Sequence, residues 1–283
     1  HVELALEESE IPELKAEVNR IKAFSEFHST WLEPADVRKM EPRISEDIYG
    51  GVLVEKVIML DSYNLTLATA QAAESRGVEI VLGEATGIIY EKDRAVGVNL
   101  GGDRIDCDAV VLALGPWSGT AGLWAETDIP IVPQKGEIVR VEGLDPPLGI
   151  HIHGFTLGSS CSVVQKGDGA TWLAATSQDG TGFDVTPSGE ALESLSQRGM
   201  RMLPELESHQ LVLHTACMRP VAPDGDPILG KIPGKDGVFV ATGTEGKGIL
   251  LAPVIGRAIA DLVTTGETDI AIAEFGIERF ATG

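Results

Sequence analysis

The 283 residues, 43% hydrophobic and 23% charged with a mean hydropathy near zero, suffice for buried cores and two domains. A formal net charge of −21 argues against nucleic acid as a partner, because each phosphate contact needs a cation. No apolar run approaches the roughly 18 residues of a membrane span, and Cys107, Cys161 and Cys217, with no Cys-x-x-Cys pair, read as buried, reduced side chains of a cytoplasmic protein.

In chain order, Glu8 to Phe27 is acidic and helical, with Leu14, Val18, Ile21 and Phe24 at spacings of three and four. Glu33 to Glu41 opens on Pro34 and stops at Pro42, which predicts one short helix. Together they suggest a peripheral helical arm. Leu65 to Arg76 is a cleaner helix closed by Gly77. Val78 to Leu82 then reads as a strand, followed by β segments at Ile88 to Glu91 and Ala95 to Leu100. The unbroken apolar run Ala109 to Leu114 has the character of a parallel strand covered on both faces.

From Ile129 to Arg219 the texture becomes β: Glu137 to Val141, Ser162 to Gln165, Thr171 to Thr176 and Leu211 to Cys217. One long helix interrupts them, with Thr186 as cap and Pro187 in the first turn, running to about Leu203. An antiparallel sheet with a helix on one face is the expected α+β module. His151 and His153 share a strand face, but no third ligand stands at a suitable spacing and no metal is expected. No Gly-x-Ser-x-Gly, Walker or His-Glu-x-x-His pattern occurs, so hydrolase and kinase chemistry have no support.

The most informative stretch is Gly237 to Leu262. A short β run ends in glycines and opens directly into an apolar-faced helix, so backbone N–H groups and the positive end of a helix dipole converge on one spot. Taken alone, such a unit is equally a tight turn packed for its own sake. About twenty residues upstream stands Met218-Arg219-Pro220-Val221-Ala222-Pro223-Asp224-Gly225-Asp226-Pro227-Ile228-Leu229-Gly230. The Arg-Pro step, the Asp-Gly-x-Pro-x-x-Gly turn, the Ala-Thr-Gly strand end and the Gly-Ile-Leu-Leu-Ala-Pro helix resemble, in order and spacing, the C-terminal signature of the D-amino-acid oxidase and glycine oxidase family of flavoproteins. Ala113-Leu114-Gly115-Pro116-Trp117-Ser118 is similar to that family's Ala-x-Gly-x-Trp-Ser turn at the cofactor.

The resemblance implies a class of α/β plus α+β: a Rossmann-like FAD-binding domain with a discontinuous antiparallel-sheet substrate domain. Residues 1–48 would be a helical arm of the substrate domain, 49–128 the middle of the FAD-binding domain, 129–218 the substrate module, and 219–283 the C-terminal part of the FAD-binding domain. A Gly-x-Gly-x-x-Gly turn after a strand, which holds the cofactor diphosphate in this family, occurs nowhere in the sequence. The chain is therefore expected to correspond to roughly the later three quarters of a family member, with a truncated FAD-binding domain and weak or absent binding of FAD by itself.

By the same resemblance Arg219 pairs with a substrate carboxylate, a task suited to a planar fork of N–H donors. Gly115, Trp117, Gly243, Thr244, Gly246, Lys247, Gly248 and Ile249 would face FAD, with Val81 toward the adenine side. Where glycine oxidases commonly read His, aromatic, Arg, Asn, this chain has Thr244, Glu245, Gly246 and Lys247, and Ser162 stands at a position often held by an active-site tyrosine. Fewer anchors imply a different or larger substrate. The activity implied is FAD-dependent oxidation of an amino acid or related amine carboxylate, by oxidase or dehydrogenase, with a homo-oligomer left open. The alternative is a flavin-free fragment or subunit that binds a carboxylate ligand or a protein partner without catalysis.

Overall fold

The computed structural model describes residues 1–24 and 28–281. In chain order, β1 (Val2–Ala5) leads through a 3-10 turn into α1 (Ile11–Lys22), β2 (Ser29–Leu32), α2 (Pro34–Met40) and β3 (Gly50–Val54). Next come α3 (Ser62–Glu74), β4 (Ala85–Glu91), β5 (Arg94–Leu100), β6 (Asp103–Asp106), β7 (Val110–Leu112) and α4 (Ser118–Ala125). A β-rich stretch follows, with β8 (Val132–Val141), β9 (Ile152–Thr156), β10 (Ser159–Gln165) and β11 (Thr171–Ala174), then α5 (Gly189–Met202) and β12 (Leu211–Val221). The chain ends with β13 (Ile228–Lys231), β14 (Val238–Thr242), α6 (Gly248–Thr265) and short 3-10 turns.

Two compact units result. One comprises His1–Leu65, Gly136–Gln178 and Val185–Cys217; the other comprises Thr66–Lys135, Asp179–Asp184 and Met218–Gly283.

The first unit is organised by an eight-stranded sheet of order β12-β8-β11-β10-β9-β1-β3-β2. It is mixed: β1 runs parallel to β9, whereas β9, β10, β11 and β8 pair antiparallel in succession, as do β1, β3 and β2. Residues 1–48, expected as a helical arm, thus place two strands in this sheet. The acidic stretch after β1 does form α1 with Val18 inward, but Phe24 lies beyond the helix and is exposed; Phe27 falls outside the described residues. Helix α5 packs on β9, β10 and β11, and Leu195 and Met202 are fully buried together with Leu4, Leu6, Ile152 and Leu173. A Cβ at Gly199 would lie only 2.9 Å from Leu173 Cδ2, so α5 sits as close as glycine permits. The cap of α5 is Ser188, whose hydroxyl accepts from Ala191 N at 3.2 Å, rather than Thr186; Pro187 precedes the cap.

In the second unit β13-β14-β7 form one three-stranded sheet and β4-β5-β6 another. Strands β14 and β7 are parallel, with Val238, Phe239 and Val240 opposite Val110, Val111 and Leu112. A core of Val110, Leu112, Ala121, Ile228, Val238 and Val240 lies beneath them. Three expectations need correction here. Val111 is 40% exposed between two buried neighbours, so β7 is covered on one face, not two. Val78 to Leu82 belongs to none of the three sheets and its apolar side chains are exposed, Leu82 at 96%; an apolar run becomes a strand only where a neighbouring backbone takes its hydrogen bonds. Finally, Glu245–Thr265 is long and apolar enough, by length and composition, to cross a membrane, which the run-length reading missed. Helix α6 packs on β13 and β14 with Ala258 and Ile259 buried, and Pro253 lies within it.

Candidate functional site

The site is built within the second unit at the ends of two parallel strands. Each strand runs into a glycine with positive φ, a 3-10 turn and a helix: β7 into Gly115 (φ +53°), Gly115–Trp117 and α4, and β14 into Gly243 (φ +78°), Glu245–Lys247 and α6. Parallel pairing sets the two turns side by side at the carboxyl ends of the strands, where the free N–H groups of both helix N-termini are presented.

A buried hydroxyl pair joins them. Ser118 Oγ lies 2.8 Å from Thr242 Oγ1, and each also bonds Gly115 O, at 2.7 and 3.1 Å respectively. Both residues are buried, so this joint stands on satisfied polar groups. Gly115 and Gly246 face open space, with no atom within 4 Å of a would-be Cβ. At Gly243 a Cβ would sit 3.3 Å from Asp226 O, Ile228 N and Ile131 Cδ1, which ties the glycine turn to the Asp-Gly turn upstream. That turn is fastened in its own right: Arg279 Nε and Nη2 donate to Asp224 at 2.7 and 3.1 Å. Hydrogen bonds from Arg279 hold the Asp224 carboxyl down at about 2. Lys247 N donates to Thr244 O at 2.8 Å, closing the turn in which Thr244, Gly246, Gly248 and Ile249 stand. Ile249 is exposed in the first turn of α6.

Arg219, near the end of β12, donates from Nη1 to Gln134 Oε1 at 3.3 Å. Gln134 follows Ile131 by three residues, so Arg219 is linked through a short path to the glycine turn. Trp117 stacks on Phe183, with ring centroids 5.6 Å apart and planes inclined by 16°. The structure therefore joins Gly115 and Trp117 to the Thr242-to-Ile249 turn. Val81, expected toward the adenine side, lies on the exposed irregular segment after α3.

Sequence reasoning passed over Gln134, Lys135, Asp179, Phe183 and Arg279. None lies in a motif that identifies it, and each gains its place through a contact distant in sequence.

The other residues singled out from the sequence, Cys107 apart, lie in the first unit. Ser162 is on β10, opposite His153 and Ala174. His151 Nδ1 is 3.1 Å from His1 Nδ1, and His153 Nδ1 is 3.6 Å from a Glu3 carboxylate oxygen; burial pushes the His151 imidazole down to about 4. Cys161 is buried, with burial raising its thiol to about 12, but Cys217 is exposed and Cys107 intermediate, against the expectation that all three are buried. The first unit also holds a fully buried carboxyl group, Glu137, which accepts from Ser188 N (2.8 Å), Ser188 Oγ (2.9 Å) and Gln178 Nε2 (2.8 Å) and lies 2.9 Å from His214 Nε2. Its place beside the cap of α5 suits the positive end of that helix.

Two glycine turns at the ends of parallel strands, each leading into a helix, thus form the candidate site. The chain belongs to the FAD dependent oxidoreductase (DAO) family, whose model matches residues 1–262. It is 31% identical to the hydrogen cyanide synthase subunit HcnC of Pseudomonas protegens over 255 residues, which are 89% of this chain and 60% of that protein. It is also 31% identical to the glycine oxidase of Geobacillus kaustophilus over 252 residues, 88% of this chain and 65% of that protein. The crystal structure of glycine oxidase from Geobacillus kaustophilus superposes with a TM-score of 0.91 at 29% identity, over 99% of this chain and 75% of that one. The chain thus spans just under two thirds of the length of the two curated relatives, and its fold is the glycine oxidase-like α/β fold with mixed and antiparallel sheets.

Proposed function

We propose that the protein oxidises the C–N bond of an amino acid or related amine carboxylate with FAD as the acceptor. The observation that carries this reading is the Ser118–Thr242 joint, which unites the Trp117 turn and the glycine turn into one surface. Gly115 and Gly246 leave open space there and Gly243 makes a close backbone approach, which suits a planar ring and an anionic arm near two helix N-termini. Gly115, Trp117, Gly243, Thr244, Gly246, Lys247, Gly248 and Ile249 would hold the flavin, and an exposed Val81 is available to the adenine end.

When bound, FAD supplies the hydride acceptor, leaving an imine that water hydrolyses. The chain's own contribution is to bind and orient. Arg219 would grip the carboxylate with its guanidinium fork, which sets the α-carbon toward the ring. The names of the glycine oxidase relatives support an amine carboxylate as substrate, and Gly246 and Ser162 in place of larger anchors favour one larger than glycine. Three free thiols agree with a cytoplasmic setting.

A second reading, a subunit that binds a carboxylate or a protein partner without catalysis, is favoured by the exposed apolar segment Val78–Leu82. Anaerobic bleaching of bound flavin by glycine, N-methylglycine or proline separates the two, since only the enzyme reduces its cofactor. Arg219→Ala should then weaken carboxylate substrates by about 2–5 kcal/mol; an unchanged KM removes Arg219 from the site.

A further inference from the structure

The six residues Asp179–Asp184 belong to the second unit, although the chain on either side of them, through Gln178 and from Val185, belongs to the first. They have no helix or strand of their own, and Gly180 and Gly182 both take positive φ. Three side-chain contacts hold this strap to the second unit. Gln134 Nε2 donates to Asp179 Oδ1 at 2.9 Å, Lys135 Nζ to Asp184 Oδ2 at 3.1 Å, and Phe183 stacks on Trp117. Lys135 is only 3% exposed, so its end of the strap is anchored from inside the unit.

The middle of this arrangement is Gln134. Its amide has one acceptor and one donor side, and each is committed: the oxygen takes Arg219 Nη1 and the nitrogen gives to Asp179. Chemistry fixes that orientation, because a guanidinium offers only donors and a carboxylate only acceptors. A flipped amide would lose both bonds. Long flexible side chains lose rotamer freedom when they bind, so a guanidinium already braced gives up less on meeting an anion.

We propose that Gln134 is a positioning residue that sets the Arg219 guanidinium for a substrate carboxylate, and that the Asp179–Asp184 strap holds Gln134 in that orientation. The inference rests on the reading of Arg219 given above. It extends that reading by assigning substrate grip to residues that never touch the substrate.

The test titrates acetate, as a bare carboxylate, and methylamine, as an amine without one, into the protein with and without added FAD, following the heat of binding by calorimetry. Gln134→Leu should weaken acetate about tenfold, one hydrogen bond to a charged group, and leave methylamine unchanged. Turnover should show the same split, with KM for amine carboxylates raised and kcat within about twofold. Asp179→Ala should give a smaller loss, Asp179→Asn should restore most of it, and the Gln134→Leu/Asp179→Ala pair should be no worse than Gln134→Leu alone, since both act through one amide. Gln134→Asn, too short to span both partners, gives the same result if the leucine variant does not fold.

Equal losses for acetate and methylamine, or additive effects in the double variant, would overturn the proposal in favour of a purely structural strap. Arg219→Ala separates the two levels. If it weakens acetate while Gln134→Leu does not, the brace fails and the carboxylate site stands; if it has no effect on acetate, both fail.

Discussion

The two units treat their apolar surface differently. In the first, α5 lies against β9, β10 and β11, with Leu195 and Met202 fully buried and Gly199 at the limit of approach to Leu173. A fully buried carboxyl, Glu137, is surrounded by donors at the helix cap. In the second, α3 buries none of its residues, Val78–Leu82 stands exposed, and α6 turns Leu250 and Val254 outward. The difference shows that an apolar pattern records a tendency to be covered and does not name the cover. Where a neighbour is present the pattern becomes a core; where none is, the same residues remain irregular and solvated.

Glu137→Ala is the sharpest way to break the comparison from the side of the first unit. Removing the carboxyl takes away the acceptor of Ser188 and His214, while Gln178 keeps Thr176 Oγ1 at 3.0 Å, and should cost about 1–3 kcal/mol in denaturant unfolding. A loss near zero would mean that the network is wet and the first unit is no better closed than the second. At the other extreme, Leu82→Ser should change stability by no more than about 0.5 kcal/mol, despite exchanging a large apolar side chain for a polar one. A loss of several kcal/mol there would show that the segment is covered in solution and erase the contrast.

Much of the fold was legible where local chemistry decides it. Pro34 and Pro42 bracket α2, Gly77 stops the chain after α3, and alternation marks β4 and β5. The two glycine turns were legible as strand, glycine and helix, and their meeting through Ser118 and Thr242 is what parallel pairing of β7 and β14 produces. What failed depended on partners. Val78–Leu82 has the composition of a strand but no neighbouring backbone, and residues 1–48 read as helical because β1 and β2 are four residues each. Ser188 displaced Thr186 as cap because its hydroxyl meets Ala191 N while its N–H meets Glu137. Gln134 and Asp179 carry no signal at all, since a bond between residues 45 apart leaves no spacing to read.

The central claim is that the turn joining β14 to α6 faces the flavin, and Gly246 tests it most directly. It is exposed, its φ is not in the left-handed range, and no atom lies within 4 Å of a would-be Cβ, so Gly246→Glu should leave the melting temperature unchanged. Titration of FAD, followed by quenching of its fluorescence, should nevertheless show affinity for the variant reduced by about tenfold or more, as a bulky anion enters the space a cofactor needs. Equal affinity of the two proteins for FAD would contradict the account.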